Sequence, residues 1–158
     1  MAVTSDIIAS WRNPRRVMRA HLARGRSEPW VFSLLVAFLI VVFVAQWPAA
    51  SRSSFYQPEV PIFQRLFATA LGLMAMIPFW YLLAAAGHLI AWVMGGQGDY
   101  YGGRLALFWA LLTISPVMLL QGLVAGMIGP GPGLTLVSTI AGLAFLGFWI
   151  LNLKEAER

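Results

Sequence analysis

Few side chains in this sequence could do chemistry away from water. His88 is the foremost, set in the apolar run Tyr81-Leu82-Leu83-Ala84-Ala85-Ala86-Gly87-His88-Leu89-Ile90-Ala91-Trp92. An imidazole there could relay a proton, ligate a metal or bridge two helices, and a polar group in such a run is the default place to look for function. Relay and ligation both need company. The apolar runs hold no Asp or Glu, and the one other histidine, His21, lies in a basic N-terminal stretch. One imidazole cannot supply the three or four ligands of an ordinary metal site. The use left to His88 is an interhelical hydrogen bond or a headgroup contact, with Ser115 or Gln121 on the following run as partners.

The glycine-rich segment Gly95-Gly96-Gln97-Gly98-Asp99-Tyr100-Tyr101-Gly102-Gly103-Arg104 invites a phosphate-binding reading. Gly96-Gln97-Gly98 is followed by no Gly-Lys-Ser/Thr, and no strand pattern precedes it, so the P-loop and dinucleotide readings fail on context. The glycines instead end one helix and permit a tight reversal, with Tyr100, Tyr101 and Arg104 at an interface. The sequence has no cysteine, hence no thiol nucleophile, disulfide or thiolate metal site. No nucleophile–base pair and no paired carboxylates stand out, so neither an enzyme nor a cofactor is expected.

Composition fixes the setting of these groups. Of 158 residues, 59% are hydrophobic and 11% charged, with a mean hydropathy of +0.75. A soluble core of this size could not hide so much apolar surface. The expected fold is all-α, an integral membrane four-helix transmembrane bundle, with spans at 30–47, 66–94, 105–128 and 134–153 and a charged tail at 154–158. Trp30 and Trp47 anchor the first span, and Pro48 is expected to end it ahead of a polar loop at 51–61. The second region is too short for two crossings and too long for an untilted one, and Pro78 is its expected bend. Pro116 should kink the third, with Thr113 or Ser115 hydroxyls satisfying the carbonyl that it frees. Gly129-Pro130-Gly131-Pro132-Gly133 turns the chain into the fourth. Gly122 with Gly126, and Ser138 with Gly142, are small-xxx-small steps through which other membrane proteins, or a second copy, could pack closely.

Residues 1–29 read as a separate basic segment. Thr4-Ser5-Asp6 can cap a first short helix carrying Trp11, and Asn13-Pro14 a second. Val17, Met18, His21 and Leu22 fall on one face, Arg15, Arg16 and Arg19 on the other, as in an amphipathic helix at a membrane surface. Trp11, Arg15, Arg16 and Arg19 are the expected contacts with anionic lipid headgroups. Nucleic acid is not an expected partner, since the basic residues flank membrane spans. Nine of the eleven basic residues share one side of a four-span topology, and Arg52 and Arg65 take the other. The positive-inside rule then places both termini in the cytoplasm.

Taken together, the pattern resembles the bacterial branch of the Yip family. The residues that carry the resemblance are the entry helix with its proline, Ile8-Ala9-Ser10-Trp11-Arg12-Asn13-Pro14-Arg15-Arg16-Val17-Met18, and the long second span ending Gly95-Gly96-Gln97-Gly98. The link Tyr100-Tyr101-Gly102-Gly103-Arg104 into a span with a central Pro116 follows, and the last span runs into Lys154-Glu155-Ala156-Glu157. The resemblance implies a multi-pass protein of the bacterial inner membrane without a catalytic centre, whose eukaryotic relatives interact with Rab-type GTPases. The chain has four expected spans where the family usually has five. It lacks the long N-terminal region and the acidic-aromatic motif of the eukaryotic members, so GTPase binding is not carried over. The function expected is packing against membrane partners as a scaffold, assembly factor or accessory subunit. The competing expectation is a small transporter or channel formed by oligomerisation, motivated by the kinks at Pro78 and Pro116.

Overall fold

The computed structural model describes residues 3–158, and these contain helices and no strand. α1 (Val3–Arg12) and α2 (Pro14–Leu22) form an N-terminal helical hairpin. Asn13 caps α2, its side chain accepting from the Arg16 N–H with Pro14 in the first turn. α1 already runs at Val3, so Thr4-Ser5-Asp6 lies inside the helix and not ahead of it. Gly25, at φ +83°, turns the chain out of the hairpin.

Long helices follow. α3 (Glu28–Tyr56) is one, α4 (Ile62–Ala75) and α5 (Ile77–Val93) are nearly continuous across Met76, and α8 (Pro132–Ala156) closes the chain. Each of these three stretches is long and apolar enough to cross a membrane. A fourth crossing exists if α6 (Tyr100–Thr113) and α7 (Ser115–Met127), bent by 44° at Ile114, count as one span. Pro78 and Pro116 sit in the first turns of α5 and α7, where the missing N–H costs least and the preceding helix must break.

Pro48 does not end the helix of the first expected span. α3 continues through it to Tyr56, and the stretch expected to be loop is helix as far as that residue. The reason is packing. α3 and α7 run side by side in the same direction, with Gly126 lying against the Pro48 ring and Gly122 against the Ala45 backbone. Beyond Pro48, Arg52 crosses to the carbonyls of Gly126 and Met127, both 3.4 Å away, and lies over the Tyr56 ring. A guanidinium at the end of α7 satisfies carbonyls that have no helical donor.

α6 is the centre of the molecule. Tyr101 to Gly103 and Leu105 to Thr113 are all buried, with Phe108 and Trp109 at 0% exposure. Helices α3, α5, α8 and α1 surround it. α8 runs antiparallel to it, fixed where Asn152 donates to the Ala106 carbonyl at 3.4 Å. α5 approaches through Gly103, where a Cβ would stand 2.9 Å from that of His88.

Candidate functional site

The polar groups gather at the end of the bundle where the α5–α6 loop meets the last residues of the chain. Gly95, at φ +96°, ends α5, and Asp99 caps α6 by accepting from the Gly102 N–H at 2.7 Å. The loop between them is clasped by the last residues of the chain. Glu157 Oε1 lies 2.6 Å from His88 Nδ1, Glu157 Oε2 accepts from the Gly98 N–H at 3.1 Å, and the Gln97 N–H donates to the Glu157 carbonyl at 2.9 Å. Both side chains of the His88–Glu157 pair are buried, and Tyr100 stands edge-on to the imidazole at 4.4 Å.

His88 therefore reaches neither Ser115 nor Gln121. Ser115 is buried at the start of α7, and Gln121 donates instead to Ser138 Oγ on α8 at 2.8 Å. The missing carboxylate arrives from a tail that extends α8 by a turn beyond Leu153 and seals the space above His88. The pair has the makings of a proton relay. It adjoins no third ligand, since no group of three metal-binding side chains occurs among the described residues.

Around the clasp, ion pairs tie the N-terminal hairpin and α3 to the same loop. Arg26 pairs with Asp99, Arg104 with Glu28, and Arg19 with Glu155 at 3.1 Å. The Tyr101 hydroxyl donates to the Gly25 carbonyl and accepts from the Ser27 N–H, both at 3.2 Å. Surface pairs contribute little singly, but these sit at one junction and fix where the hairpin enters.

The hairpin's apolar face, expected to rest on lipid, rests on the chain itself. Val17, Met18 and His21 are buried, with α2 against α8 and α1 against α6. Trp11 donates its indole N–H to the Thr113 carbonyl at 3.1 Å and stands edge-on to Phe148 at 5.0 Å. At the break the Val117 N–H turns to Ile114, so the Thr113 carbonyl needs another donor. Trp11 supplies it, while the Thr113 hydroxyl bonds Trp109 O. The Trp109 indole in turn donates to Ser10 Oγ at 3.0 Å. Arg15 and Arg16 remain exposed.

His21 is 2% exposed and packs on Trp109 at 4.1 Å, with neither ring nitrogen hydrogen-bonded. Burial pushes its imidazole down to about 4; the Arg24 guanidinium adds to the shift and the Asp6 carboxylate opposes it. Asp6 is itself buried and paired with Arg24 at 3.3 Å.

The two small-xxx-small steps have opposite surroundings. A Cβ on Gly122 would stand 1.9 Å from the Ala45 carbonyl oxygen, so that step is filled by α3. In the second step Gly142 has nothing within 4 Å of an added Cβ, but Ser138 is half-buried and held by Gln121 of α7; Gly147, five residues beyond Gly142, is also open.

The clasp gives a direct prediction. Removing Glu157 strands the His88 ring nitrogen and the Gly98 N–H, each costing about 1–3 kcal/mol if buried without a partner. In a double-mutant cycle of His88→Ala and Glu157→Ala, thermal stability in detergent should show a coupling of about 0.5–3 kcal/mol. Strictly additive losses would mean that the pair does not form.

No curated protein and no solved structure matches this chain. The model of the Yip1 domain matches residues 8–157, from the middle of α1 through the Glu157 clasp. That match takes in nearly every element described, and the chain belongs to the Yip family of multi-pass membrane proteins.

Proposed function

We propose that this Yip-family protein is non-catalytic and works by packing against other membrane proteins or a second copy of itself, as a scaffold, assembly factor or accessory subunit. The observation that carries this reading is the outward face of α8. Gly142 and Gly147 lie there with open space at each Cβ position, beside exposed Leu143, Leu146 and Ile150. In lipid, helices associate where small residues let backbones approach, because apolar side chains gain little over lipid tails. The Gly122–Gly126 step on α7 is already used by α3, and on α8 Ser138 is held by Gln121, which leaves the stretch from Gly142 to Gly147 as the open one.

The sidedness of the basic residues supports a bacterial inner-membrane protein with both termini in the cytoplasm. The exposed Arg15 and Arg16 suit anionic headgroups there. In mild detergent the protein should purify with a partner or as a defined oligomer. A free monomer with no co-purifying membrane protein would overturn the reading.

The 44° break between α6 and α7 favours a transporter as the second reading. Against it, the carbonyl at the break is taken by Trp11 and α6 is buried from Leu105 to Thr113. Liposome flux changed by Pro116→Ala would move the second reading ahead of the first.

A further inference from the structure

A lateral groove of about 490 Å³ lies between α5 and α8 beside the Glu157 clasp. Its floor is the Trp149 indole, stacked on Phe145 at 5.7 Å and held close to α5 because residue 87 is glycine. A Cβ on Gly87 would stand 2.7 Å from that ring. Ile90, Met94, Ile150 and Leu153 make the walls, and all but Leu153 are strongly exposed. Gly95 and Gly96 keep the mouth low.

Two charged residues stand at the mouth, Lys154 and Glu157. The oxygens of Glu157 are committed to His88 and Gly98. Lys154 is exposed, and no acid lies within ion-pairing distance of it among the described residues. The groove thus joins an apolar slot, open sideways between two spans, to a single unpaired cation at their end. A lysine at the end of a span lays its stem on apolar surface and lifts its ammonium to the level of lipid phosphates.

We propose that this groove is a binding site for one anionic phospholipid, an acyl chain lying on Trp149 and the phosphate on Lys154. The apolar lining with one unpaired cation at its end suits an acyl chain joined to an anionic head. From Gly87 to Met94 the groove is roughly 10 Å long. The volume also falls in the ordinary range of small-molecule pockets. The site shares Ile150 with the Gly142–Gly147 face but neither of its glycines, and its test reads bound lipid, not a partner.

Native mass spectrometry of protein released from nanodiscs of equal phosphatidylglycerol and phosphatidylcholine tests it. The wild-type protein should retain one phospholipid, predominantly phosphatidylglycerol. Ala91→Phe, which fills the groove from α5, should remove the retained lipid. Lys154→Gln, an exposed change harmless to folding, should keep a lipid but lower the preference for phosphatidylglycerol roughly fivefold. If the wild type retains no lipid, or Ala91→Phe retains as much, the site is not there. If Lys154→Gln leaves the preference unchanged, the phosphate assignment fails. Should Ala91→Phe not fold, Lys154→Gln decides alone.

Discussion

Gly122→Leu is expected to destabilise the bundle by about 3 kcal/mol or more, whereas Gly142→Leu leaves its melting temperature nearly unchanged. At position 122 the first added carbon already meets the Ala45 carbonyl, with the α3 backbone behind it. Backbone cannot rotate away as a side chain can, so α3 and α7 must separate. That separation also pulls Pro48 from Gly126 and Arg52 from the carbonyls at the end of α7. At position 142 there is nothing to meet. Even the smaller pair divides the two sites. Gly122→Ala should cost about 1–3 kcal/mol, and Gly142→Ala should be neutral or gain up to about 1 kcal/mol from helix propensity. Thermal unfolding of the four purified variants in one detergent makes the comparison. Equal losses at the two positions would contradict the packing of α3 on α7.

Acidification should release the N-terminal hairpin while the spans stay folded. An exposed histidine titrates near 6.5, and burial lowers His21 to about 4 in the docked state. The docked state therefore resists protonation. The His21 contribution to docking is at full strength above pH 6.5, weakens as the pH falls from there to 4, and changes no further below. The full change is about 3 kcal/mol, because each tenfold loss of proton affinity on docking corresponds to about 1.36 kcal/mol. Hydrogen exchange of residues 3–24, corrected for intrinsic rates, should rise over this interval while α6 stays protected. His21→Leu, of similar bulk and without a titrating group, should flatten the profile. A wild-type profile already flat between pH 7 and pH 4 would contradict the buried position of His21.

What the sequence made readable and what it hid have physical causes. Helices and their breaks were legible because proline and glycine act locally: Pro78 and Pro116 open new helices, and Gly25 and Gly95 take left-handed backbone as stops. Pro48 misled because its effect depends on a neighbour. A proline is tolerated within α3 where Gly126 receives its ring and Arg52 continues the contact beyond it. The partner of His88 was hidden for a similar reason. A charged tail usually reads as solvated, and Glu157 lies 69 positions from His88. One signal was available: Trp149, Leu153 and Glu157 recur every four residues, so a helix continuing past Leu153 carries Glu157 onto the face that meets α5. In the N-terminal hairpin Val17, Met18 and His21 are buried and Arg15 and Arg16 exposed, against neighbours the sequence does not name. Amphipathicity names an apolar face without naming what covers it, and lipid and α6 are equivalent on that score. Only the unsatisfied Thr113 carbonyl distinguishes them, and it arises from a kink a hundred residues away.

The reading of this protein as a packing partner in the membrane rests on the open face of α8. The absence of cysteine in the sequence makes that face directly addressable. Single-cysteine variants at Gly142, Gly147 and, as a lipid-facing control on α5, Leu82 can be crosslinked in native membranes with a short thiol reagent. Gly142→Cys and Gly147→Cys should give one discrete higher-mass adduct, a membrane partner or a second copy, and Leu82→Cys should give none. Adducts absent from positions 142 and 147, or equally abundant at 82, would contradict the proposal.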